Sequence, residues 1–163
     1  MLAGNACRAA LTMALAALVS GAAEAQSTTQ MASFAISAIN EIAFSGSPSL
    51  TISAAIAGTA PSSVTNATAT WAVTTNQLGA KITASIPSGM PPGLTLSASL
   101  APPLGATSAG ARPLGTVAAD MVTGMTKVAQ GAMVVTYTLD ATAAAGVVPS
   151  TTRVVTYTIT GGT

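Results

Sequence analysis

Few side chains in this sequence can do chemistry. The acidic residues are Glu24, Glu41, Asp120 and Asp140, the basic ones Arg8, Lys81, Arg112, Lys127 and Arg153; there is no histidine, and Cys7 is the single cysteine. Without histidine, neither a Ser-His-Asp nor a Cys-His arrangement can be built, and imidazole metal sites are excluded with them. A glycosidase needs two carboxyl groups held across a scissile bond. Glu41, Asp120 and Asp140 are the only candidates downstream of residue 25, and their wide spacing in sequence suits solvation of a surface better than catalysis. The same scarcity argues against a high-affinity Ca²⁺ site, which gathers several carboxylates, while leaving open a weak one made of carbonyls. No glycine-rich phosphate cradle is present. The expectation is a protein that is not an enzyme and carries no cofactor or metal.

Three other features invite a binding role. Trp71, Tyr137 and Tyr157 could stack on sugar rings, but their alternation with Val73, Val135 and Val155 assigns them to an inward, packed face. Thr68 and Thr70, Thr136 and Thr138, and Thr156 and Thr158 form Thr-x-Thr pairs of the kind a flat binding array would use. Threonine is also a common solvent-facing strand residue, and no solenoid repeat stacks these pairs into a plane. Asn66-Ala67-Thr68 fits the glycosylation acceptor pattern at an expected loop-to-strand junction.

The residues that must position any site begin after a separate leader. Arg8 is the only charge in the first 23 positions, and Ala9 to Val19 is an uncharged run of Ala, Leu, Met, Thr and Val. That run is too short for a membrane helix, which takes about 20 apolar residues, and suits the apolar region of a secretory signal. Ala23 and Ala25 supply the small residues of an A-x-A cleavage site, so residues 1–25 are expected to form a helical, cleavable signal peptide cut between Ala25 and Gln26. Cys7 would leave with it, and no cysteine would remain for stapling.

Residues 26–163 then make one domain with room for a real core. With five basic and four acidic residues in the whole chain and only 6% charged positions, nothing resembles a nucleic-acid footprint or a polybasic membrane patch. No second apolar run reaches membrane length. Apolar and β-branched residues are too abundant for a disordered chain. A hydroxyl-rich surface with net charge near zero is prone to association.

Period-two alternation dominates the chain beyond residue 25. Phe34, Ile36 and Ala38 alternate in a first expected strand whose phase slips near Asn40 and resumes at Ile42 and Phe44. After a turn at Ser45–Pro48, Leu50, Ile52, Ala54 and Ile56 predict a second. Ala67 to Thr75 and Ala80 to Ile86, joined by Asn76 to Gly79, predict a hairpin. Gly93 to Leu100 carries Leu94, Leu96, Ala98 and Leu100 on one face, and short strands are expected around Leu114 to Ala118 and Met121 to Thr123. The clearest pair is Met133 to Leu139 and Arg153 to Ile159. Both contain Val-Val-Thr-Tyr-Thr, at 134–138 and 154–158, which reads as similar chemistry in neighbouring strands. About seven to nine short strands with frequent turn signals predict an all-β, antiparallel sandwich, with a barrel as the alternative.

The alternating, Tyr-containing ending Arg153-Val-Val-Thr-Tyr-Thr-Ile-Thr160 resembles the terminal strand of bacterial pilus subunits and related secreted immunoglobulin-like domains. The resemblance implies an immunoglobulin-like β-sandwich. It also implies that an edge strand or an N-terminal extension completes a neighbour's sheet, a part that Gln26 to Ala38, with Phe34, Ile36 and Ala38, could play. The sequence departs from chaperone-assembled pilins in lacking a disulfide pair and in carrying Gly161-Gly162-Thr163 after its last strand. The function expected is that of an exported structural or interaction protein of the cell surface or matrix, in a pilus, fibre or surface layer. Its partner would be itself or another surface subunit, met through edge-strand pairing. The alternative is an extracellular carbohydrate- or ligand-binding module.

Overall fold

The computed structural model describes residues 24–162. The expected signal helix, with Arg8, Cys7 and the Ala9–Val19 run, lies outside the described residues. Residues 24–35 belong to a separate unit from Ile36 onward. They have no regular secondary structure and are exposed, Ala25 and Gln26 among them.

From Asn40 onward the β-branched, alternating segments form strands: β1 (Asn40–Ser45), β2 (Val64–Thr75), β3 (Ala80–Ser85), β4 (Leu94–Leu100), β5 (Thr107–Ser108), β6 (Arg112–Pro113), β7 (Ala119–Met125), β8 (Val128–Ala141) and β9 (Thr156–Thr160). They make two antiparallel sheets, ordered β1-β2-β8-β4-β6 and β5-β7-β3-β9. Inward residues of both, including Trp71, Leu100 and Val135 from the first and Ile82, Met121 and Met125 from the second, share one buried cluster. This all-β arrangement is consistent with a β-sandwich.

After β2, every successive strand lies in the other sheet. The cause is a folded two-stranded ribbon. β2 and β3 behave as one long strand and β7 and β8 as another. Their pairing runs from Val64 opposite Leu139 to Thr75 opposite Val128, then resumes at Ala80 opposite Met125 and ends at Ala84 opposite Ala119. At the fold, the Lys127 N–H donates to the Gln77 carbonyl at 3.0 Å and the Gly79 N–H to Thr126 Oγ1 at 3.2 Å. Gly79 turns this corner at φ +70°, a backbone region that side-chain-bearing residues disfavour. The expected hairpin at Asn76–Gly79 is therefore corrected: β2 and β3 do not pair, and the turn carries the chain from one sheet to the other.

Other expectations shift as well. Phe34 to Ala38 is not a strand, and regular pairing starts at Asn40. Leu50 to Ile56 forms no strand; Leu50 and Ile52 are half-buried, and only an isolated bridge joins Ala55 to Pro61. Two short strands near 114–123 give way to the single β7. The two Val-Val-Thr-Tyr-Thr copies are not neighbours, because β8 is central in one sheet and β9 is at the edge of the other.

Candidate functional site

Among the described residues the side chains that could do chemistry do not come together. Glu41 lies opposite Thr74, which in turn lies opposite Ala129, whereas Asp140 lies eleven residues further along β8. At about 3.3 Å per residue the two carboxylates are roughly 35 Å apart along the sheet. Asp120 sits in the other sheet and accepts from Lys81 Nζ at 3.0 Å. Asp140 is engaged by Ser63 Oγ. Among the described residues no three His, Cys, Asp or Glu side chains gather as a metal site would require.

The aromatic residues form a contact chain instead of a binding platform. Trp71 is 1% exposed, and its Nε1 donates to the Ala101 carbonyl at 3.1 Å. Phe44 stacks on Tyr157 at a centroid distance of 4.0 Å and on Trp71 at 5.9 Å. The Tyr137 and Tyr157 hydroxyls lie 2.8 Å apart, linking β8 to β9 across the interior. Burial pushes the ionisation of both tyrosines upward. The shared hydrogen bond adds to the rise at Tyr157 and opposes it at Tyr137. The inward assignment of Trp71 and Tyr137 therefore holds, and neither offers a free face to a sugar.

The Thr-x-Thr pairs are dispersed over two sheets: Thr68, Thr70, Thr136 and Thr138 belong to the first, Thr156 and Thr158 to the second. Asn66 lies within β2 rather than at its edge. Its Nδ2 donates to the Ser49 carbonyl at 3.2 Å while its Oδ1 accepts from the Thr68 N–H and hydroxyl.

What the fold does leave open is backbone. Among the described residues β1 pairs only with β2, and β9 only with β3, so each presents one edge unpaired by them. The opposite edges are the two-residue strands β5 and β6, too short to template much. Phe44 of β1 and Tyr157 of β9 close the core between the two long edges by stacking, so the interior there is already filled. An added strand would extend a sheet at its rim.

Compared with family models, with curated proteins and with solved structures, the chain has no match. Its own geometry carries the functional reading.

β1 is anchored at its start by one side chain, Asn76, that strand alternation does not single out. The Asn76 backbone N–H donates to the Ile39 carbonyl at 3.3 Å, its Oδ1 accepts from the Ile39 N–H at 2.8 Å, and its Nδ2 donates to the Ser37 carbonyl at 2.8 Å. The amide thus continues the β1–β2 ladder by about one residue and holds Ser37 and Ile39 at the start of β1. The available signal was Asn at the head of the corner turn, a residue whose side chain readily imitates backbone. Gly161 and Gly162, following β9, come to the same corner. A Cβ on Gly161 would lie 2.6 Å from Asn40 Nδ2, and one on Gly162 would collide with the Leu78 carbonyl. The glycines noted as a departure from pilins are thus explained by close packing.

The expected assembly residues divide at this anchor. Ala38 is exposed between the two clamped carbonyls, Ile36 is 83% exposed, and Phe34 is 96% exposed. Among the described residues no helix is long and apolar enough to cross a membrane.

Proposed function

We propose that the protein is an exported, non-catalytic structural subunit of the cell surface or extracellular matrix that associates through unpaired sheet edges and the segment preceding β1. The single observation that carries this reading is the coexistence, among the described residues, of two long edges without a partner strand and an alternating apolar segment that is exposed. Exposing Phe34 and Ile36 costs free energy that pairing with another chain would recover, about 1.5 to 3 kcal/mol for each large side chain removed from water. Extended segments that add to an exposed edge obtain affinity from main-chain hydrogen bonds and register from alternate side chains. Cleavage between Ala25 and Gln26 would make Gln26 the first residue of the exported chain.

In the finer description of the fold, the immunoglobulin-like expectation yields in our reading to a jelly-roll-like order. A ribbon folded across two sheets produces alternation at each connection, as double-sheet jelly rolls do. Donor-strand completion of a missing core strand, as in pilins, fits less well than edge addition, given the filled interior behind Phe44 and Tyr157.

The test is association of the exported protein followed by light scattering and electron microscopy, with and without Gln26–Ala35. Deletion from Gln26 to Ala35 spares Ser37 and its bond to Asn76. Concentration-dependent oligomers or fibres that weaken on deletion support the reading; a monomer at every concentration, indifferent to the deletion, overturns it.

A further inference from the structure

The sequence of β9 is Thr-Tyr-Thr-Ile-Thr, centred on Thr158. Threonines alternate with large inward residues symmetrically about that centre. Thr156, Thr158 and Thr160 are exposed, while Tyr157 and Ile159 are half-buried and pack against the core. The strand has no charge, proline or glycine, and among the described residues its only partner is β3, in unbroken register from Lys81 opposite Thr160 to Ser85 opposite Thr156. Edge strands that avoid self-pairing carry an inward charge, a proline or a bulge. β9 has none of these.

We propose that β9 pairs antiparallel with β9 of a second copy of this chain about a two-fold axis at Thr158. The inference rests on the assembly reading and gives it an address. In that register Thr158 faces Thr158 of the second copy, Thr156 faces its Thr160, and Tyr157 faces its Ile159. Threonine–threonine and aromatic–β-branched pairs are both favourable across antiparallel strands. Two four-stranded sheets become one of eight, and an isologous contact of this kind is closed. β1, the other long edge, is less suited to self-pairing. Its sequence Asn-Glu-Ile-Ala-Phe-Ser lacks the symmetry, and it carries Glu41.

The test uses the full chain with Cys7→Ser, which leaves no native thiol. Adding Thr158→Cys places one thiol against its own counterpart, so oxidation yields a covalent dimer; Thr156→Cys alone does not, because its partner is Thr160, and Thr156→Cys with Thr160→Cys does. Thr158→Lys sets like charges face to face and weakens dimerisation at least about tenfold by light scattering. Equal crosslinking at positions 156 and 158 overturns the proposal. Association that persists with no crosslink at Thr158 and no effect of Thr158→Lys also overturns it, while leaving the broader assembly reading standing. A protein that never associates overturns both.

Discussion

Val-Val-Thr-Tyr-Thr occurs at 134–138 and again at 154–158, and the same five residues meet two different fates. The first copy lies in the middle of β8, paired on one side with β2 and on the other with β4. Val135 is fully buried and Tyr137 nearly so. In the second copy only Thr156 to Thr158 are in a strand, and among the described residues that strand has one neighbour. Val154 and Val155 fall outside the ladder for a reason that lies in β3. Continuing the register would set Val154 against Pro87 and Val155 against Ile86, and Pro87 has no N–H to give to that ladder. Val155 is consequently half-buried where Val135 is sealed. Identical local propensity thus produces a doubly paired core strand in one place and a short edge in the other. The two copies still meet, tyrosine to tyrosine, across the interior.

The comparison breaks most visibly if a charge is placed at the matched valines. Val135→Asp puts a carboxylate in a fully buried position without a partner and is expected to cost more than about 4 kcal/mol, enough to abolish cooperative folding. Val155→Asp, at the half-buried counterpart, is expected to leave a folded protein. Urea unfolding followed by Trp71 fluorescence measures both, and equal losses would erase the distinction between core and edge copy.

A smaller effect tests whether the copies truly face each other. Tyr137→Phe and Tyr157→Phe each remove one hydroxyl of the shared hydrogen bond and are expected to cost about 1 kcal/mol, with most of that recovered in the double variant. A double-mutant cycle near zero coupling would separate the two tyrosines.

The smallest effect is in pH. Both tyrosines ionise above their ordinary value near 10, because burial disfavours the phenolate. The unfolded chain therefore loses these protons first, so stability is flat through neutral pH and falls as pH rises beyond about 10. Unfolding curves in the alkaline range should show that decline, and a Tyr137→Phe, Tyr157→Phe protein should show less of it.

Much of the strand content was legible because alternation is local. Leu96, Ala98 and Leu100 face inward as their spacing required, as do Trp71, Met133 and Val135. Phe34 to Ala38 alternates equally well and forms no strand, since alternation states which face a strand would bury without guaranteeing a neighbour to pair with. The hairpin expected at Asn76–Gly79 failed for a related reason. A short Gly-containing turn serves a reversal within one sheet or a crossing between two, and only the partners on either side, Val128 and Met125, distinguish them. The anchoring role of Asn76 was not legible because it needs Ser37 and Ile39, which only the fold brings to it.

The sequence by itself determined an all-β chain, the inward faces of its strong strands and the poverty of its side-chain chemistry, because hydropathy period and residue inventory are properties of neighbours along the chain. Tertiary structure decided which strands pair, which described strands lie at sheet edges and how Asn76 holds Ser37 and Ile39 at the start of β1. Those outcomes depend on hydrogen-bond partners distant in sequence, and two identical pentapeptides with opposite surroundings show that no local rule could have supplied them.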